Sequence, residues 1–213
     1  MRYRSIFTVT TPGDHALLDL PVAKDELAIT DGTMDAKLTR WILQAGGVIE
    51  GPNGIARVLR ADLVSESFRA GDCYYETMRA GLPLRRYPII TISSVIEDGT
   101  TLVVGTDYEV DAEAGLLYRL NGSSRIAWCA QVIQVSYQGG YAALTDVPAD
   151  IQAAVLLLLQ HRLAGQARGD PTLKALTIPG VVEKQWWFAS SGEAFALPPE
   201  VAGLIAGYRD VHV

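Results

Sequence analysis

The sequence predicts an α+β fold: a small helical bundle with an inserted antiparallel β-sheet and hairpin region, and an extended C-terminal tail ending in a short helix. Three stretches carry that expectation. A strand-like run, LPLRRYPIITISSVIEDGTTLVVGTDYEVDAEAGLLYRL from Leu82, continues in QVIQVSYQGGY from Gln131 and stops at VPADIQAAVLLLLQHRL from Val147. Upstream, apolar residues between Met34 and Ile49 recur at spacings of three and four, the signature of one buried helical face. The last forty residues mix Gly, Pro and aromatics without a period, which marks an irregular tail. We read residues 1–213 as one domain with N-terminal helices over 20–54, a β-rich insertion over 55–141, a buried helix over 147–165 and a docking tail over 172–213.

Pro21 suits a first helical turn ahead of VAKDELAI, and Thr30, Asp31 and Gly32 break the chain and offer capping groups. Met34, Leu38, Trp41, Ile42, Ala45 and Val48 or Ile49 then form the stripe, which Gly51-Pro52-Asn53-Gly54 ends. In the β region Ile90, Ile92 and, after a slip, Val95 alternate, with Leu102, Val103 and Val104 as the partner strand. Asp98-Gly99 between them suits a type I′ turn, which needs positive φ at both central residues. Leu116–Leu120 and Val132–Tyr137 supply further strands around Asn121-Gly122-Ser123-Ser124. Pro148 then opens a helix that Asp146 caps, with Asp150 set against its dipole. Its run of leucines predicts burial on several sides.

Acids exceed bases by six, so the chain lacks the basic footprint of a DNA-reading surface. The longest apolar run, Ala153 to Leu159, is far short of the roughly 20 residues that span a bilayer. MRYRSIFTVTTPGD lacks a signal-peptide core, and the expectation is a soluble chain that is not secreted. Cys73 and Cys129 have no metal-ligand spacing and are expected as free, partly buried thiols. His15, His161 and His212 stand apart, with His161 expected to be packed on the leucine-rich helix.

No GxSxG, GxxxxGK[ST], GxGxxG or HExxH motif occurs, so the expectation is no catalysis, no cofactor and no metal. A hydrolase or metal-dependent enzyme with scattered residues, or a soluble ligand-binding module, remains the alternative. Asp107, Glu109, Asp111 and Glu113 alternate, so on a strand their carboxylates share one face. Arg85 and Arg86 before the first clear strand are expected to guard a strand end or to meet an acidic partner, with Arg57, Arg60 and Arg69 upstream. Trp186, Trp187 and Phe188, with Leu204, Ile205, Tyr208 and Arg209 in the final helix, suit either core packing or a contact surface, where Trp and Tyr dominate.

In order and spacing these parts resemble the head-to-tail connector, or adaptor, proteins of long-tailed bacteriophages and gene transfer agents. The likeness rests on TMDAKLTRWILQAGGVIEGPNG, LPLRRYPIITISSVIEDGTTLVVGTDYEV, VSYQGGYAALTDVPADIQAAVLLLLQHRL, IPGVVEK and ALPPEVAGLIAGYRD. The ending departs from the family's usual pattern, with Gly207 where a Pro precedes the Tyr-Arg pair. The resemblance implies a structural protein, made in the bacterial cytoplasm and placed at the head-tail junction of a virion or phage-like particle. It implies a ring of itself, commonly twelve subunits, under the portal protein, with a stopper or tail-completion protein opposite and double-stranded DNA passing through without sequence-specific binding. The aromatic tail, Trp186 to Phe188 and Leu204 to Arg209, would be the portal or subunit contact. The row from Asp107 to Glu113 would line the channel or a subunit face, where carboxylates repel phosphate.

Overall fold

A computed structural model describes residues 5–69, 81–167, 175–178, 182–185 and 197–209, the two short segments of the tail by their backbone alone. The chain divides into two compact units, one from Met1–His15 and Val58–Asp146, the other from Ala16–Arg57 and Val147–Val213. The mixed α+β class is as the sequence predicts. The first unit takes in the opening fifteen residues, where SIFTVTT, rich in β-branched residues and ended by Pro12-Gly13, forms a strand that was not among the expectations.

That unit is all β. Its strands are β1 (Ser5–Thr11), β2 (Asp62–Arg69), β3 (Leu82–Pro83), β4 (Ile89–Glu97), β5 (Thr100–Thr101), β6 (Tyr108–Asp111), β7 (Leu116–Asn121), β8 (Ser124–Ile126) and β9 (Val132–Gly139). They form a five-stranded sheet in the order β1-β2-β9-β4-β5 and a four-stranded one in which β7 pairs with β3, β6 and β8. Every pairing between these strands is antiparallel. Val64, Phe68, Val95, Ile133, Val135 and Tyr137 of the first sheet meet Leu82, Tyr108, Leu117 and Trp128 in one buried cluster. The Trp128 indole N–H donates to the Leu117 carbonyl at 3.1 Å, so the largest core side chain leaves no donor unpaired.

Asp98 (φ 45°) and Gly99 (φ 86°) both adopt positive φ, as the turn between β4 and β5 requires. The Asp98 carboxylate also accepts the Gln131 and Val132 N–H groups, at 3.1 and 2.8 Å, and so starts β9. Two expectations are corrected here. In β4 the inward residues are Ile89, Ile92 and Val95, spaced by three, because register shifts fall between Ile89 and Thr91 and between Ile92 and Ser94. Ile90 therefore points outward. The partner strand is only Thr100–Thr101; Val103 and Val104 are exposed, since the Asp107 carboxylate accepts the Val103 N–H at 2.8 Å and turns the chain away. After β9, Gly140 (φ 113°) lets the chain pass against Arg60, whose carbonyl oxygen would lie 2.5 Å from an added Cβ.

The other unit is helical: α1 (Leu20–Glu26), α2 (Asp35–Glu50), α3 (Ala149–Ala167) and α4 (Pro199–Ile205), with a hairpin of β10 (Ala175–Ile178) and β11 (Val182–Gln185) in the tail. The hairpin stands where the sequence predicts irregular chain, in the register Ala175↔Gln185 to Ile178↔Val182. Asp31 accepts both the N–H and the hydroxyl of Thr33, which holds its carboxyl below the usual range and starts the turn into α2. The α2 stripe is as predicted, with Leu38, Trp41, Ile42, Ala45 and Ile49 buried and Val48 left outside.

Asp146 does not cap α3, since its carboxylate accepts the Ala143 N–H at 3.0 Å and closes a short 3₁₀ turn instead. Nor is α3 buried on several sides: Ile151, Ala154, Val155 and Leu159 are covered while Leu156, Leu157 and Leu158 are half-buried. The covered face packs on α2 and α4. Lys37 and Arg162 lie 4.8 and 5.7 Å from the Trp41 ring centre, closing the polar rim of the α2–α3 contact. Among the described residues no helix is long and apolar enough to cross a membrane.

Candidate assembly surfaces

The deepest polar feature is one that sequence reasoning missed. β2, DLVSESFR, turns Asp62, Val64, Glu66 and Phe68 inward, so two carboxylates four residues apart join the apolar core. Asp62 accepts the Gly13 N–H at 2.9 Å and the Arg86 Nε–H at 3.2 Å, and lies 3.2 Å from His15 Nε2. Glu66 accepts the Ser5 hydroxyl, the Tyr137 hydroxyl at 3.0 Å and the Arg85 N–H at 3.2 Å. Arg85 Nε lies 3.5 Å from the other oxygen of Glu66, and the Tyr137 oxygen accepts the Arg86 N–H at 3.1 Å.

Burial outweighs those donors and pushes the Glu66 carboxyl up; burial and the nearby carboxylate push the Tyr137 hydroxyl up as well. Arg85 and Arg86 thus meet carboxylates of their own chain, and both sit over the Phe7 ring, at 5.7 and 4.9 Å. The cluster ties β1, β2 and the segment before β4 together. The alternation of acids with Val and Phe in β2, ahead of an Arg-Arg pair, was the available signal.

The acidic row does not form a single face. Glu109 and Asp111 alone lie at alternate positions of β6, Asp107 precedes it and Glu113 sits in the following turn. Glu109 pairs with Arg125, which stacks 3.7 Å from the Tyr118 ring centre, and Arg119 Nη1 lies 3.8 Å from Asp107 Oδ1. Asp111 accepts the Ala114 N–H at 3.0 Å, which shapes the turn. Within the row, the residues most open to solvent are therefore Asp111 and Glu113, at one hairpin tip.

Trp186, Trp187, Phe188 and His212 of the tail, and Cys73 between β2 and β3, lie outside the described residues. Ile205 is fully buried, so it is core in this chain and has no surface to give a partner. Leu204 and Tyr208 are half-buried and Arg209 is exposed. The Tyr208 hydroxyl is 3.4 Å from Asp150 Oδ2, and Arg209 Nη2 donates to the Asn53 carbonyl at 3.3 Å. His161 is exposed rather than packed, 3.6 Å from Glu200. Cys129 is a free, exposed thiol. Among the described residues no group of three or more His, Cys, Asp or Glu could hold a metal ion.

One further surface is a sheet edge. β1 borders the five-stranded sheet and, among the described residues, pairs only with β2, with Ile6 61% and Val9 36% exposed.

No protein-family model and no curated protein matches the chain. Solved structures do. A chain in the virion of a native gene transfer agent particle aligns over 98% of this chain and 97% of its own length, with a TM-score of 0.56 at 19% identity. A chain in the neck of an empty gene transfer agent particle, computed with sixfold symmetry, aligns over the same shares with a TM-score of 0.54, also at 19% identity. The fold is that of a gene transfer agent particle chain. The resemblance read from the sequence and the likeness in fold agree, and both units take part, because the alignment leaves almost nothing of either chain out.

Proposed function

We propose that this protein is a head-to-tail adaptor: a structural component that forms a ring of about twelve copies below the portal of a phage-like particle. In that place it joins capsid to tail and surrounds the DNA channel without catalysis. The observation that carries this reading is the near-complete alignment, across helical and β units alike, with chains of a gene transfer agent virion and neck. A shared single motif would support far less, since folds are reused for many purposes.

The chemistry is compatible with that role. A chain with net charge −6 does not grip phosphate, and the exposed carboxylates Asp111 and Glu113 suit a surface along which DNA slides. On this reading the end of the 172–213 tail, from Trp186 to Arg209, meets the portal, with Trp187 and Tyr208 as anchors, and the opposite side receives a stopper or tail-completion protein. Co-elution of the full chain with its portal protein tests the proposal. Trp187→Ala and Tyr208→Ala are expected to weaken that binding more than they lower the melting temperature. A chain that never co-elutes with portal contradicts the adaptor role; mutants that melt early yet bind normally when folded return those aromatics to the core.

A further inference from the structure

Natural sheets protect their edges with charges, prolines, strong bulges or very short strands, because an open row of N–H and C=O groups pairs with any strand it meets. Among the described residues no strand lies beyond β1 in the five-stranded sheet, and on that side only the Ser5 carbonyl is held, by Arg85 Nη2 at 3.1 Å. The β5 edge of the sheet is two residues long, whereas β1 is seven, SIFTVTT, without a charge or a proline. The single irregularity of β1 lies between Val9 and Thr11 and leaves Ser5 to Val9 in regular register with β2. One row of the outer face beside it is uncharged too: Thr8, Ser65, Ser136 and Ser94 stand opposite one another across β1, β2, β9 and β4.

The same chain carries a second unfinished sheet. Among the described residues β10 and β11 pair only with each other, and a two-stranded hairpin is marginal in water on its own. Its strands differ in protection. β11, VEKQ, carries Glu183 and Lys184, while β10, ALTI, carries no charge.

We propose that the open edge of β1 takes strand β10 of a second copy of this chain, which extends the five-stranded sheet across the subunit boundary. The uncharged edges then meet each other, and the charged β11 becomes the new outer edge. Pairing of β1 with β10 joins unlike surfaces, so it repeats head to tail, the kind of contact from which rings are built, whereas β1 against β1 would stop at a two-fold dimer. Main-chain hydrogen bonds supply the attraction and the alternating side chains set the register, as in other strand additions. The inference rests on the ring reading above and names the joint between subunits.

The test is cross-copy disulfide formation in the full chain, alone and with portal, with Cys73→Ser and Cys129→Ser removing the native thiols. Ile6→Cys or Thr8→Cys is combined with Leu176→Cys or Ile178→Cys, four pairs that sample the register. The expected result is a ladder of covalent oligomers on a non-reducing gel from at least one pair, collapsed by reductant. In the otherwise natural chain, Thr8→Lys on the exposed edge is expected to abolish rings in electron micrographs while leaving the melting temperature unchanged. Rings that form normally in Thr8→Lys, with no cross-copy bond from any pair, overturn the β1–β10 joint and leave the ring standing. A bond formed within a single chain overturns it as well. No rings under any condition, portal included, removes the ring reading and the joint together.

Discussion

The two units are held together by different physics. In the helical unit the covered faces of α2 and α3 are apolar, with Leu38, Ile42, Ile49, Ile151, Val155 and Leu159 inside and the charges of Lys37 and Arg162 at the rim. The β unit instead buries two carboxylates, Asp62 and Glu66, within its core and surrounds them with donors from four separate segments. Apolar packing is tolerant of angle and of pH, while a buried polar cluster works only in the arrangement that satisfies every member. The β unit is therefore the part whose geometry is specified most tightly and whose stability responds to protons. In a protein whose proposed work is to be one of many identical parts, that rigidity fits the unit that carries the open edge.

The contrast can be broken or sharpened by substitution. The largest effect belongs to the helical unit: Leu159→Ala on α3 is expected to cost about 2–5 kcal/mol in denaturant unfolding, with little dependence on pH, as a large-to-small change in an apolar core does. Next comes Tyr137→Phe in the β unit, at about 1–3 kcal/mol, because the buried Glu66 and the Arg86 N–H each lose a partner.

Glu66→Gln should be smaller in size and different in kind. With the Glu66 carboxyl raised by burial, the folded state binds more protons than the unfolded one at pH values between the ordinary carboxylate value and the raised one. Stability from this group is therefore full below that window and falls as pH rises through it. Glu66→Gln should remove that decline, with Ser5 turning to accept from the amide, and a melting series across acid to neutral pH would show it. A slope unchanged in Glu66→Gln would place the pH response elsewhere. The smallest effect is Arg125→Ala, at about 0–1 kcal/mol, since the Glu109–Arg125 pair is largely exposed.

What the sequence displayed and what it hid follow from how far each signal reaches along the chain. The α2 stripe, the Asp98-Gly99 turn and the helix after Pro148 depend on neighbours within a few residues, and all three were legible. β1 was missed although SIFTVTT is rich in strand formers; what that run does not announce is its partner β2, more than fifty residues later. The two register shifts in β4 moved Ile90 outward and Ile89 inward, which strict alternation has no means of announcing. Asp146 and Glu66 were misjudged or missed for a related reason: a polar side chain declares its type but not its partner. The acidic row looked like one face because alternation presumes a strand longer than the four residues of β6. For assembly, order and spacing of parts carried more information than any single residue, and the likeness in fold over nearly the whole chain follows that order.

The central claim is that the chain closes into a ring that docks on a portal. Electron microscopy of the full-length protein mixed with its portal protein tests it most directly. The account predicts closed rings of about twelve copies with a central channel, seated on the portal; a species that stays monomeric in every condition, portal included, would contradict it.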